Sequence, residues 1–210
     1  CSSDLGENFN ATRKIKMTNP KVVKEDGKIG IGYIDLDGNR SLLDCTDIIP
    51  EDPAEQNSFM IPHIGQALRT KDMKYITWAI KNQERQGAHI IDLCVDEMSV
   101  YPEERYDWIK WLVETAQGIT DSIVAIDSSD SQTIFAGLEA HDGTQGRPAI
   151  NSFNLEDGRQ VLVEMAKDRN AILFANASGN SGMPQDAAER VQNLARCMEM
   201  MDAGGIPVED

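Results

Sequence analysis

At 210 residues and a formal net charge of −15, the chain excludes the simplest mode of nucleic-acid binding, in which lysine and arginine neutralise phosphates. A hydrophobic fraction of 40% supplies one core and at most a small appendage, and no apolar run approaches the ~20 residues of a membrane-spanning helix. Cys1, Cys45, Cys94 and Cys197 form no C-x-x-C pair and have no zinc-ligand spacing to His63, His89 or His141, so reduced thiols, no metal centre and a cytoplasmic setting are expected.

The chain opens on Cys1-Ser2-Ser3-Asp4-Leu5, which carries neither a helical nor a strand pattern. It matches the translation of a common sequencing-adapter fragment and is expected to be non-native, with a first strand missing where it stands. Gly6-Glu7-Asn8-Phe9-Asn10-Ala11-Thr12-Arg13-Lys14 reads as the loop after that strand. Residues 21–49 read as β: Lys28–Asp35 alternates, Asp37-Gly38 is a hairpin turn signal, and Ser41–Asp44 returns. Pro50 to Pro62 is a proline-rich, acidic linker. The segment 21–62 is therefore an inserted hairpin and linker, too small for a core of its own.

From Thr70 the rhythm changes to alternating helix and strand. Met73, Ile76, Ala79 and Ile80 mark one face of a helix over Met73–Gln86, and Trp108, Trp111 and Leu112 mark the next, starting near Pro102. A third helix spans Ser131–Leu138. A fourth is predicted from Asn154, with Glu156 and Asp157 in its first turn, and a fifth from Pro184 to the Gly204-Gly205 stop. Strands are predicted to start near residues 88, 122, 148 and 171, spaced by 34, 26 and 23 residues, the size of successive βα units.

Repeated βα units imply a parallel sheet, either a (β/α)₈ barrel or a doubly wound open sheet. There is no G-x-G-x-x-G after a strand and no Walker A motif, which removes the dinucleotide and P-loop readings. About five βα units are counted, so an incomplete barrel with an inserted hairpin is expected, since a whole one needs ~250 residues. Each apolar strand ends in a polar residue: Ile90-Ile91-Asp92-Leu93-Cys94-Val95-Asp96-Glu97, Ile126-Asp127-Ser128-Ser129-Asp130, Ile150-Asn151-Ser152 and Ala175-Asn176. Such ends converge at one mouth of a parallel barrel. Carboxylates and carboxamides with few cations suit a neutral, hydrogen-bond-rich heterocycle such as a pterin, whose 2-amino-4-oxo edge presents paired N–H donors and a carbonyl acceptor. An Asp-rich divalent metal site and plain capping of the following helices are the competing readings of the same residues.

Gly6-Glu7-Asn8-Phe9-Asn10, Ile91-Asp92-Leu93, Ile126-Asp127-Ser128-Ser129, Ile150-Asn151-Ser152 and Ala175-Asn176-Ala177-Ser178-Gly179 occur in the order of the pterin-binding barrels. Over the chain outside 1–5 and 21–62, the sequence resembles the methyltetrahydrofolate:corrinoid methyltransferases, relatives of dihydropteroate synthase. The opening resembles the methyltransferase motif G-E-x-I-N, and the opening loop of the synthase is absent.

The resemblance implies a pterin site lined by Asn10, Asp92, Asp127, Asp130, Asn151 and Asn176, with Asn8 and Arg13 at its rim. Asp130 stands where these enzymes carry Asn, and Asn176 where they tend to carry Asp. It further implies tetrahydrofolate or methyltetrahydrofolate as substrate, a corrinoid (cobalamin) on a partner protein, and a homodimer. The family's catalytic Asn follows the sixth strand, beyond Asp210, so this chain is not expected to transfer methyl groups alone. A dihydropteroate synthase-like enzyme or an inactive fragment of such a barrel are the other readings.

Overall fold

The computed structural model describes residues 5, 6, 9–144 and 146–207, with side chains from Phe9 onward. In chain order it holds β1 (Leu5–Gly6), β2 (Ile15–Lys16), β3 (Val22–Glu25), β4 (Lys28–Ile34), β5 (Arg40–Asp44), α1 (Pro53–Gln56), β6 (Met60–Ile61), α2 (His63–Thr70), α3 (Met73–Arg85), β7 (Ile90–Cys94), α4 (Pro102–Gln117), β8 (Ile123–Asp127), α5 (Ser131–Ala140), β9 (Ala149–Leu155), α6 (Val161–Asp168), β10 (Ile172–Gly179) and α7 (Ala187–Gly204). The sheet order β1-β7-β8-β9-β10 is parallel throughout, and helices alternate with its strands. This is an α/β arrangement consistent with part of a pterin-binding barrel.

Strand alternation sorts the side chains. Ile91, Leu93 and Val95, Val124 and Ile126, and Ile150 are buried in one apolar core with Ile109, Leu112 and Val113 of α4, Ile134 of α5 and Leu162 of α6. Each such side chain contributes roughly 1.5–3 kcal/mol. The opposite face carries Asp92, Cys94, Ala125, Asp127, Ala149 and Asn151, so the helices hold the sheet and leave the polar face available.

The first strand is not wholly missing. Leu5 pairs with Ile90 and Gly6 with Ile91, so the last residue of the suspect opening belongs to the sheet; the preceding residues 1–4 lie outside the described part. Two helix starts also differ from expectation. Asn154 does not begin a helix: its amide donates to Ser178 Oγ at 3.0 Å and its Oδ1 accepts from the Glu156 N–H at 3.0 Å. That tie keeps β9 extended to Leu155, and α6 starts only at Val161, after Gly158 turns the chain at φ 84°. Pro184 precedes the true cap of α7, Asp186, which accepts from the Glu189 N–H at 2.8 Å while Glu189 reaches back to the Gln185 N–H at 2.7 Å.

The insertion is a three-stranded meander, β3-β4-β5, rather than a two-stranded hairpin. A second Asp-Gly turn, Asp26-Gly27, joins β3 to β4, with both residues at positive φ. The meander hangs on a two-residue antiparallel stem, Ile15 opposite Ile61 and Lys16 opposite Met60. It packs on α3 through Tyr33, whose ring lies 5.0 Å from Tyr75 and 4.8 Å from Trp78, and through the Lys74–Asp35 ion pair at 2.7 Å. The linker is not all loop either: it holds α1, and α2 follows it directly and ends at Thr70.

The meander tolerates no side chain at residue 30, where a Cβ would stand 2.0 Å from the Leu43 carbonyl oxygen. Gly30→Ala should therefore push β4 off β5 and lower unfolding free energy by about 1–3 kcal/mol, read by urea denaturation.

Candidate functional site

Ladder register sets the polar face. Asn10 bridges to Cys94, Cys94 pairs with Asp127, and Asp127 pairs with Asn151, so four adjacent chain segments present these residues abreast. Asp92 lies two residues deeper on β7, about 6.6 Å along the strand. It shares its layer with Ala125 of β8, and Ala125 pairs with Ala149 of β9. Small alanines beside a buried carboxylate leave room above them. The Asn151 amide donates to Asp92 Oδ1 at 3.2 Å, and the Asn10 amide reaches Asp127 Oδ2 at a longer 3.4 Å. Asn10 also accepts from the Thr12 N–H at 2.8 Å, which fixes its side chain. Four of the six proposed pterin ligands, Asn10, Asp92, Asp127 and Asn151, are thus one connected group.

The other two are placed differently. Asp130 caps α5, accepting from the N–H groups of Gln132 and Thr133 at 3.3 and 3.0 Å and from Thr133 Oγ1 at 2.8 Å. Its carboxylate already serves its own helix. Asn176 is exposed, and its Oδ1 accepts from the Ser178 N–H at 3.0 Å. Arg13 is exposed in the loop after β1, its N–H bonded to the Asn10 carbonyl at 2.9 Å. Asn8 lies outside the described residues.

Two residues gain importance. Asp96 accepts from Ser128 Oγ at 2.5 Å and from the N–H and Oγ of Ser129 at 2.8 Å each. It ties the chain after β7 to the chain after β8. Arg159 is 7% exposed, and its guanidinium donates to the carbonyls of Ser128 and Ser129 at 3.1 Å each and of Ser152 at 2.5 Å. One planar fork thereby locks the ends of β8 and β9 together. Nothing in its local sequence, Asp157-Gly158-Arg159-Gln160, distinguishes it from a solvated arginine; only the tertiary packing buries it.

The site is electrostatically poised. Burial pushes the Asp127 carboxyl up to about 6, assisted by the nearby Asp96 charge and opposed by a hydrogen bond from the Cys94 thiol and by Arg159. Burial also raises the Cys94 thiol, with Asp127 adding to the effect, so Cys94 stays a neutral donor and not a nucleophile. Burial pulls the Arg159 guanidinium down, against the carboxylates of Glu156, Asp127, Asp96 and Asp130. The described residues hold no cluster of three or more His, Cys, Asp or Glu suited to a metal ion. Clefts of about 650 and 630 Å³ open beside the row, lined by neither Asp92, Asp127 nor Asn151.

Residues 64–206 match the family model for pterin binding enzymes. The chain belongs to that family. It is also similar to methionine synthase of Mycobacterium tuberculosis, 30% identical over 62% of this chain and 11% of that protein, and to the Mycobacterium leprae protein of the same name, 34% identical over the same shares. A third relative is the methylcorrinoid:tetrahydrofolate methyltransferase of Eubacterium limosum, 26% identical over 63% of this chain and 48% of that protein. The matched part is thus about half of the Eubacterium enzyme and a small part of the methionine synthases. The family match starts after the insertion and contains Asp92, Asp127 and Asn151.

The raised Asp127 value carries a sign. The folded carboxyl stands near 6 against an ordinary 3.8, so the neutral acid favours the fold. That contribution is complete below pH ~4 and is lost as pH rises through about 6. Asp127→Asn should accordingly stabilise the ligand-free protein at pH 8 by on the order of 1–2 kcal/mol, allowing for solvent screening, and leave it unchanged at pH 4, as urea titrations at both pH values would show.

Arg159→Met should cost roughly 1–3 kcal/mol for each carbonyl it abandons and move the titration midpoint of the Asp127 carboxyl above 6. Arg159→Lys, which keeps the charge without the fork, should restore the midpoint but not the stability. NMR titration of the Asp127 carboxyl, paired with denaturation, separates the two effects.

Proposed function

We propose that the protein binds a reduced pterin at the strand-end row and serves methyl transfer between methyltetrahydrofolate and the cobalt of a corrinoid on a partner protein. The observation that carries this reading is the connected group Asn10, Asp92, Asp127 and Asn151 on one face of adjacent parallel chain segments, within a chain of the pterin binding enzyme family. An ionised Asp127 accepts two N–H bonds from the 2-amino-pyrimidinone edge, a charge-assisted pairing stronger than a neutral one. Buried Asp92, steadied by the Asn151 amide, offers a second acceptor, and Asn151 and Asn10 suit the mixed donors and acceptors of the ring.

The chain's own contribution is orientation. Aspartates held in ladder register fix the ring plane, and with it the direction in which N5 and its methyl group face the mouth. N5 leaves readily only when it is protonated or strongly hydrogen-bonded, a task for a residue that holds a proton at that atom. The corrinoid supplies the cobalt that gives or takes the methyl group. The name of the Eubacterium limosum relative supports this reading, since it pairs a methylcorrinoid with tetrahydrofolate.

The full-length gene product should bind methyltetrahydrofolate and methylate free cob(I)alamin. Absence of both would overturn the proposal. Asp127→Ala should weaken pterin binding ~100-fold or more, the loss of two charge-assisted hydrogen bonds, measured by calorimetry. Unchanged affinity would move the ring elsewhere.

A further inference from the structure

The ladder that forms the row also stops there. Cys94 with Asp127, and Asp127 with Asn151, are the last pairs between β7 and β8 and between β8 and β9. A chain that runs on past its ladder carries backbone N–H and C=O groups that need other partners. Two charged side chains supply them here. Asp96 accepts from the Ser129 N–H at 2.8 Å, and Arg159 donates to the carbonyls of Ser128, Ser129 and Ser152. Side chains thereby replace the neighbouring strand for the residues just beyond Asp127.

Both grips close on Ser128 and Ser129. Asp96 also holds their hydroxyls, at 2.5 and 2.8 Å, and Ser128 is buried at 2% exposure. Ser128 Oγ accepts in turn from the Asp130 N–H at 3.1 Å, so the tie reaches the residue that caps α5. Asp127 itself is held loosely, by the Asn10 amide at 3.4 Å and a hydrogen bond from the Cys94 thiol. Its placement therefore depends on the turn that follows it.

The charge of Asp96 works in the other direction. Among the described residues, the titratable groups acting on Asp127 are Cys94 of β7, Asp96 after β7 and Arg159 just before α6. Asp96 favours the neutral form of Asp127, and Arg159 favours the ionised form. Asp96 thus has two effects of opposite sign: it fixes the turn, and it makes the neighbouring carboxyl harder to ionise.

We propose that Asp96 is a positioning residue for ligand binding at Asp127, acting through Ser128 and Ser129, and that its hold on the turn outweighs the unfavourable effect of its charge. The proposal rests on the pterin reading above. Both carboxylate oxygens of Asp96 are engaged by the serines, so it acts on the ligand by way of Asp127 and not by contact.

Asp96→Asn keeps the shape of the side chain while removing its charge and one acceptor. In the full-length gene product it should lower the titration midpoint of the Asp127 carboxyl below about 6, read by NMR. Affinity for methyltetrahydrofolate at pH 8, where Asp127 is ionised in both proteins, should nevertheless fall about tenfold by calorimetry, because the carboxylate is misplaced. Ser129→Ala removes one tie and keeps the charge. It should weaken affinity severalfold with the midpoint still at about 6, and it carries the test if Asp96→Asn does not fold. Asp96 acting by charge alone predicts unchanged affinity at pH 8 and tighter binding at pH 6 in Asp96→Asn. A merely structural role predicts a lower urea midpoint with affinity unchanged. Either result overturns the proposal and leaves the pterin site standing. A wild-type protein that binds no methyltetrahydrofolate would remove the pterin reading and this proposal with it.

Discussion

Parallel hydrogen-bonding between neighbouring strands is the constraint on which everything else depends. Cys94, Asp127 and Asn151 are far apart in sequence, yet their ladder partners are one another, and the row needs no further device to bring them abreast. The same ladder puts Ala125 and Ala149 in the layer of Asp92, so the carboxylate is buried without being crowded. Helices α4, α5 and α6 enter only through the opposite face, where isoleucine, leucine and valine fill the core. Packing and polar chemistry are thereby assigned to separate faces of one sheet, and neither has to compromise the other.

The cost of this arrangement is a concentration of acids in a chain that is already acidic. Asp92, Asp96, Asp127 and Asp130 sit on consecutive strand ends, and each is held in its own way. Asp96 is satisfied by two serines, Asp130 by a helix N-terminus, Asp92 by an asparagine amide. Asp127 alone is left with a single long contact and a thiol, which is why burial raises it so far. Buried Arg159 adds positive charge close by while bonding only to carbonyls, so it tempers the repulsion without capturing any one carboxylate.

Much of this was legible in the residues themselves. The βα spacing located four central strands to within two residues, because apolar runs bounded by turn signals are unambiguous when they recur. Asp127 closes its run as the sequence suggests, whereas Asp92 and Asn151 each stand third in strands that continue to Cys94 and Leu155. Asp130 shows the limit: a residue after a strand end is also a residue before a helix, and only geometry shows that its carboxylate caps α5. Asn154 misled for the same reason, its capping propensity overridden by a buried bond to Ser178 across strands. Arg159 carried no local signal, since burial of a charged side chain is decided by contacts from distant segments. The meander was half read; its Asp37-Gly38 turn was noticed and the equivalent Asp26-Gly27 was not.

The stem of the insertion has a consequence of its own. Its two ends meet as Ile15 opposite Ile61 in a ladder only two residues long, so residues 17–59 leave and re-enter the molecule at nearly one point. A segment attached in that manner can be gained, lost or exchanged during evolution without shifting the register of a single strand of the parallel sheet. Change in the insertion would then leave the row of Asp92, Asp127 and Asn151 undisturbed, so the rim and the polar face of the sheet are free to vary independently.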